Sequence, residues 1–301
     1  MATPKHRHRS EPRSRPIRHA LTIDVEDYYN VFARDRLGVD EPPSPAVVAN
    51  TGRLLEWLEA CGVRATFFVL GEVAETYPDL VGRIAAAGHE VGVHGYAHRQ
   101  VFRTDPETFR DATDRSRRLV GEAAGRPVEG YRAPAFSIRP DTAWALDVLA
   151  DLGFRYDSSV FPMQNRRYGW RGFPMHIHEM ALAEGGTLIE APAAVVEVPG
   201  VRLPCCGGGY LRHFPYAYTR WAMRRIGRRR PAIVYAHPYD IDLAPPPPDF
   251  TARLAEGPTA ARRHHAGQLR KRDTMERKLK RLLSEFTFAP LGEVIDETLG
   301  R

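Results

Sequence analysis

A chain of 301 residues, 43% hydrophobic and 27% charged, can bury a sizeable core and is long enough for one large α/β domain or two smaller ones. Three cysteines, Cys61, Cys205 and Cys206, are too few for a disulfide framework, and no stretch reaches the length of a transmembrane helix. The formal charge of +6 is concentrated in residues 1–18, where six Lys/Arg face Glu11 alone, a surplus of five that leaves about +1 for the remainder and argues against a nucleic-acid-binding fold.

The opening "MATPKHRHRSEPRSRPIRH" lacks the apolar run of a signal peptide. With the few cysteines it leads us to expect a reducing, cytoplasmic location. Residues 1–18 read as a disordered basic tail, with peripheral contact to an anionic membrane as a minority reading. Next, "HALTIDVEDYYNV" begins as an alternating strand and ends in carboxylates. "PAVVANTGRLLEWLEACGV" has helical spacing, and "RATFFVLG" is a continuous apolar run. The rhythm continues through helix "YPDLVGRIAAAG", strand "HEVGVH", helix "DPETFRDATDRSRRLVGEAAG", strand "VEGYRAP", helix "PDTAWALDVLADLG" and strand "RYDSS". Such alternation predicts parallel strands covered by helices, in a barrel or a doubly wound sheet.

From about 160 to 215 the chain is richer in Gly, Pro and aromatics and reads as an insertion, within which "TLIEAPAAVVEVPGVRLPC" is expected as a hairpin. Helix "YAYTRWAMRRIG" then precedes a last core strand, "PAIVYAHPYDID". "APPPPDF" is expected as a surface linker, and the basic runs "RRIGRRR" and "KRDTMERKLKR" as solvated helix faces. One catalytic domain is expected over 19–290, with 291–301 as the chain end.

Four predicted strands end in ionisable groups: Asp24-Val25-Glu26-Asp27, His94 with His98, Arg132, and His237. In barrel-like α/β folds the strand ends are where catalytic groups collect. A bend from strand into helix at His94 would bring His94 and His98, i and i+4, onto one face; capping or core histidines are the alternative for that spacing alone. Two imidazoles and a carboxylate make a three-ligand open site for zinc or a similar divalent ion, which acidifies water and polarises a carbonyl. A second carboxylate can take the proton from that water, an arginine can hold this base ionised, and a further histidine can protonate the leaving group. Together they predict metal-assisted hydrolysis of an amide or ester.

"LTIDVEDYYNV", "HGYAH", "GYRAP" and "VYAHPYD", with "ATFFVLG" and "GHEVGVHG" between them, resemble the polysaccharide deacetylase family, also called the NodB-homology or carbohydrate esterase 4 family, over roughly residues 19–290. "YDSSVFP" and "GGGYLR" further resemble its branch from exopolysaccharide gene clusters of bacteria with exosortase sorting. The resemblance implies a distorted (β/α)7 barrel and a metal-dependent deacetylase of N-acetylated sugars. Zinc is the first choice of ion, with cobalt, iron or nickel as alternatives. It further implies Asp24 as general base, His94 and His98 as metal ligands, Arg132 as the group orienting Asp24, and His237 as general acid. The backbone N–H of Ala135 would serve the oxyanion, and Asp157 would help set the charge of His237.

Many family members carry two adjacent aspartates in the first motif, whereas this chain has Asp24-Val25-Glu26-Asp27. Residues i and i+2 of a strand share a side, so Glu26 is expected as third ligand ahead of Asp27. Gly208, within Gly207–Gly209, and Tyr210 are candidate sugar contacts, as is Trp170, though a tight turn accounts for the glycines equally simply. Trp144, Phe136 and the adjacent cysteines are expected in the core, and His89 at a helix end. Two other functions fit the residues: a small-molecule amide hydrolase, allantoinase-like or a natural-product deacetylase, and a non-catalytic carbohydrate-binding homologue.

Overall fold

Strand β1 (His19–Val25) is buried along its whole length, as a parallel strand covered on both faces must be. Its residues Leu21, Ile23 and Val25 join the large apolar layer, whereas Ala20 belongs to a second cluster with Phe68, Tyr156, Ile189 and Ile233. Side chains alternate in direction along a strand. Ala20, Thr22 and Asp24 therefore share the inner face of a curled sheet, and Leu21, Ile23 and Val25 lie under its helices.

The computed structural model describes residues 17–165 and 168–301; the basic tail through residue 16 lies outside the described residues. After β1, α1 (Tyr28–Phe32) runs into a π-helical turn, and α2 (Ala46–Ala60) leads to β2 (Thr66–Val69). Helices α3 (Gly71–Thr76) and α4 (Pro78–Ala86) precede β3 (Glu90–Val93), and α5 (Pro106–Ala124) precedes β4 (Gly130–Tyr131). Helix α6 (Trp144–Asp151) precedes β5 (Tyr156–Asp157). Strands β6 (His178–Ala181) and β7 (Thr187–Glu190) pair antiparallel, and β8 (Val195–Val198) with β9 (Val201–Pro204) makes a separate hairpin. Helices α7 (Gly208–His213) and α8 (Tyr216–Ile226) lead to β10 (Ile233–Ala236). The chain continues through α9 (Pro248–Glu256), α10 (Thr259–Leu269), α11 (Met275–Glu285), β11 (Phe288–Ala289) and α12 (Leu291–Leu299).

The main sheet runs β10-β1-β2-β3-β4-β5-β7-β6, and the seven strands from β10 to β7 are mutually parallel. Seven parallel strands with outer helices are the distorted (β/α)7 barrel expected from the sequence. The sheet curls until Ala194, just beyond β7, donates its N–H to the carbonyl of Ile233 in β10 at 3.3 Å. The expected hairpin is corrected in part. Only β8 and β9 form one, while "TLIE" is the seventh barrel strand, paired in parallel with β5 (Tyr156 with Ile189, Asp157 with Glu190) and not with the next segment in sequence. Likewise the "APPPPDF" stretch ends inside α9, with Pro248 in its first turn, where a missing N–H costs nothing.

The barrel interior is narrow. A Cβ on Gly92 would sit 2.8 Å from the Phe68 ring, and one on Gly130 would overlap the ring of Tyr156. Below these rings α12 closes the floor: Leu291, Val294 and Ile295 join the inner cluster. Gly292 N–H donates to Glu90 Oε2 at 2.9 Å, and the Tyr156 hydroxyl donates to Glu90 Oε1 at 2.9 Å. The stretch expected only as the chain end thus fills the end of the barrel opposite the site. Ile295→Ala should lower the unfolding free energy by about 2–5 kcal/mol, the cost of a large-to-small change in a packed core. Chemical denaturation measures this, and a loss under about 1 kcal/mol would mean that the floor collapses around the gap.

Candidate active site and metal centre

The inner-face alternation of β1 carries on past its end. Asp24 is 2% and Glu26 4% exposed, both at the C-terminal edge of the barrel. Asp27, the alternative third ligand, turns elsewhere: its carboxylate accepts from Asn30 N–H (3.1 Å), Ser44 N–H (3.0 Å) and the Ser44 hydroxyl (2.8 Å), capping α1. One ligand atom from each of Glu26, His94 and His98 lies within 4.8 Å of the others.

The two histidines do not meet through a helix. His94 extends the ladder of β3, its N–H donating to Val69 O at 2.9 Å, and the chain then turns through Gly95 (φ 75°) to His98 (φ 53°) as an irregular loop. Two N–H groups at the start of α3 hold it, Gly71 to Gly95 O (2.8 Å) and Glu72 to Tyr96 O (3.1 Å). Arg34, paired with Glu72 at 2.7 Å, donates to Ala97 O at 2.9 Å. The spacing of four thus reflects a clamped loop. Arg34 and Glu72 gave no sign of this in the sequence, because they are remote in the chain and unremarked in composition.

His94 Nδ1 lies 2.9 Å from the carbonyl of Arg132. A carbonyl only accepts, so the proton belongs on Nδ1 and the Nε2 lone pair is left for a ligand. Glu26 Oε2 and His98 Nε2 form an ion-pair contact at 2.8 Å, and Glu26 Oε2 and His98 Nδ1 are buried without a hydrogen-bond partner among the described residues. A buried carboxylate oxygen without a donor is costly unless a cation satisfies it. Burial alone would raise the Glu26 carboxyl, but His98, His237 and His94 hold it below the ordinary range. The donor set fits a divalent ion.

Arg132, fully buried, donates from Nη1 to Asp24 Oδ1 (2.8 Å) and Thr22 Oγ1 (2.6 Å), from Nη2 to Ser158 Oγ (2.9 Å), and from Nε to Ser158 O (3.1 Å). The next serine acts on the adjoining loop. Ser159 Oγ accepts from Ala133 N–H at 2.6 Å and donates to Asp157. Two residues on, Ala135 (φ 54°) and Phe136 (φ 51°) both occupy the left-handed region. Ser158 and Ser159 stood in the quoted "YDSSVFP" motif, but their roles require the cross-strand register.

The role expected of Asp157 is corrected. The carboxylate on His237 is Asp240, whose Oδ2 lies 2.8 Å from Nδ1 and also accepts the His237 N–H at 3.0 Å. Burial would push this imidazole down, but Asp240, Glu26 and Asp24 together outweigh it and lift it to about 9. Arg212, from "GGGYLR", pairs with Asp240 at 3.1 Å, and Tyr239 stacks on the His237 ring at 4.6 Å. Asp157 sits one residue out of phase with the inner face, opposite Glu190 in the β5–β7 register. There it accepts from Ser159 and shares its surroundings with the Glu190 carboxyl, both raised by burial.

Gly208 (φ 43°) lies against the site: a Cβ there would come 3.0 Å from His237 Cε1 and 2.8 Å from Tyr235. Tyr210, by contrast, shares an aromatic cluster with Phe136, Phe161 and Tyr168. Trp170 packs on Phe173, and Trp144 on Phe109. His89 is a satisfied core histidine, its Nδ1 accepting from Ala65 N–H at 3.1 Å, and Cys205 and Cys206 are buried thiols. A cleft of about 160 Å³ opens beside Glu26 and His98, walled by Tyr28, Arg36, Tyr239 and His264 among others.

The buried Asp157–Glu190 pair makes stability depend on pH. Glu190 is raised well above 4.5 in the folded chain, so the folded state binds more protons than the unfolded state and stability falls as pH rises above that value. Glu190→Gln keeps an oxygen for the Val160 N–H, now 3.1 Å away, and removes the titration. The difference in unfolding free energy between wild type and variant should therefore shift in favour of the variant between about pH 5 and 8. Parallel pH profiles from urea titrations would show that the pair holds no extra proton.

Residues 37–156 match the polysaccharide deacetylase family, and residues 158–296 match DUF3473, a domain of unknown function. The peptidoglycan deacetylase-like protein of Gibberella zeae is 30% identical over 155 residues, 49% of this chain and 45% of that protein. A chitooligosaccharide deacetylase of Rhizobium leguminosarum bv. trifolii is 35% identical over 115 residues, 38% of this chain and 49% of its own. The matches span less than half the length of these relatives. Among solved structures, a Mycobacterium smegmatis protein assigned as a polysaccharide deacetylase superposes with a TM-score of 0.60 at 22% identity, covering 97% of this chain and 93% of that one. An allantoinase does so with a TM-score of 0.60 at 16% identity, covering 98% and 93%. Both share the fold. The chain thus carries a match to the polysaccharide deacetylase family over residues 37–156 and one to DUF3473 over residues 158–296.

Proposed function

We propose that this chain is a metal-dependent hydrolase that removes N-acetyl groups from an N-acetylated sugar in a glycan or glycoconjugate. The observation that carries the reading is the Glu26–His94–His98 cluster flanked by two held groups, Asp24 on Arg132 and His237 on Asp240. Glu26, His94 and His98 hold the ion. Zinc suits two imidazoles and a carboxylate best, with cobalt, iron or nickel accepted by the same donors. When bound, the ion supplies Lewis acidity to water and to an acetyl carbonyl.

Asp24, aligned by Arg132, takes the proton of the attacking water, and His237, held by Asp240, protonates the departing sugar nitrogen. The N–H of Ala135, fixed by its left-handed turn, stabilises the oxyanion. Gly208 leaves room for the substrate beside His237. The sugar class is supported by the relatives, whose names are those of deacetylases of peptidoglycan and chitooligosaccharides.

The test is acetate release from chito-oligosaccharides, a nucleotide-linked N-acetylglucosamine and a lipid-linked N-acetylated sugar by zinc- or cobalt-loaded chain. Ammonia or ring-opened product from allantoin, with no acetate from any sugar, would move the reading to a cyclic amide. Asp24→Asn should keep the metal and lose about 10²–10⁴ in kcat, the size of a general-base contribution. Glu26→Gln should weaken metal affinity, with activity partly restored by excess ion. Loss of metal from Asp24→Asn with Glu26→Gln unaffected would exchange the two roles.

A further inference from the structure

Helix α8 buries Thr219, Ala222, Met223 and Ile226 and turns its opposite side to solvent. A shallow recess of about 270 Å³ on that side is walled by Ala217, Arg220, Trp221, Arg224, Arg225 and Arg228. A merely solvated helix face mixes charge signs and hides its large apolar groups. Here Trp221 is 42% exposed among the arginines. Arg220 is spent on Glu285 at 2.6 Å, and Arg225 donates to the carbonyl of Glu197 at 3.0 Å. Arg224 and Arg228 have no carboxylate partner among the described residues.

Two neighbours extend the patch. The β8–β9 hairpin packs on α8 through the Arg225 contact and through the Tyr218 hydroxyl, which donates to Pro204 O at 2.9 Å; Val201, the first residue of β9, is 51% exposed. Past the end of α8, Arg229 and Arg230 line a hollow with Ile17, Arg18 and Glu297, where Arg18 is already paired with Glu293 and Glu297. Residues 1–16, outside the described residues, contain Lys5, Arg7, Arg9, Arg13 and Arg15.

We propose that this face of α8 is a docking surface for a lipid bilayer that carries anionic headgroups, with Trp221 at headgroup depth and Arg224 and Arg228 on lipid phosphates. Guanidinium groups recognise phosphate in a forked geometry, and tryptophan partitions to the membrane interface. A soluble polyanion would neutralise the arginines equally well but would leave Trp221 and Val201 in water. Single-strand binding would need several stacked aromatics along a basic groove, and the recess offers one. The surface is independent of the catalytic reading.

The test is flotation of the full chain with vesicles of phosphatidylcholine alone or with one third phosphatidylglycerol. Binding is expected to the anionic vesicles only and to fall with salt. Each arginine at such a surface contributes about fivefold, so Arg224→Glu with Arg228→Glu should reduce partition by about 25-fold or more. Trp221→Ala should weaken vesicle binding while leaving retention on heparin unchanged. These are exposed positions, and unchanged melting temperatures confirm folded variants. Equal binding to both vesicle types, or loss only when residues 1–16 are deleted while the double variant binds normally, would overturn the proposal. So would equal loss of heparin and vesicle binding in Trp221→Ala.

Discussion

A guanidinium with no access to water, Arg132, is the constraint from which the site follows. Its charge cannot be titrated away, and moving it out of water costs several kcal/mol unless its N–H groups are met. The partners that meet them come from all round the barrel. Asp24 and Thr22 lie on β1, and the Thr22 hydroxyl passes the contact on to Val234 O of β10. Phe68 of β2 lies under the guanidinium at 4.4 Å. The carbonyl of Arg132 itself takes His94, at the end of β3. Ser158, after β5, donates onward to Ala191 O, just beyond β7. One buried cation on the β4 end therefore fixes the relative positions of every parallel strand, and Asp24 and His94 with them.

The same geometry shows why the two family matches do not mark two domains. Their boundary, between residues 156 and 158, cuts β5. Asp24 and Glu26 precede the first match, His94, His98 and Arg132 fall within it, and Ser158, Arg212, His237 and Asp240 fall within the second. Neither half holds a complete constellation. β10 must pair with β1 before His237 can face Glu26, at 3.6 Å. The DUF3473 half is therefore part of the barrel wall and supplies the support of the histidine, through Arg212 and Asp240, from elements that the first half lacks.

Legibility in the sequence tracked sequence distance. Strands with strong β-branched or apolar runs, such as Thr66–Val69 and Ile233–Ala236, were readable because a period of two or an unbroken apolar run is a local property. Glu26 was favoured over Asp27 by the same local rule, and the cap made by Asp27 agrees with it in geometry. The partners of β7 were missed because "TLIE" pairs with β5 and β6 and not with the segment that follows it, which only the register reveals. Asp157 was misplaced for a related reason. A two-residue strand gives no periodicity from which to tell inward from outward, so its carboxylate could be assigned to His237 until the register set it opposite Glu190. Asp240 lay in plain view three residues after His237, but its function depends on a short 3₁₀ turn that folds it back onto the ring.

Strain is distributed in the same functional way. Of the non-glycine residues described with positive φ, His98, Ala135 and Phe136 are at the site and Lys271 is remote. Each such residue costs roughly 1–2 kcal/mol, which glycine would relieve. Glycine at 136 would also remove the ring that lies 5.4 Å from the Arg132 guanidinium and packs against Tyr235. At 135 it would widen the choice of backbone conformations that Ser159 now limits from one side, through Ala133 N–H, and the packing of Phe136 from the other. The loop "RAPAF" therefore carries no glycine to announce its left-handed turn. Its conformation is imposed by contacts on both sides, the condition under which a strained backbone persists.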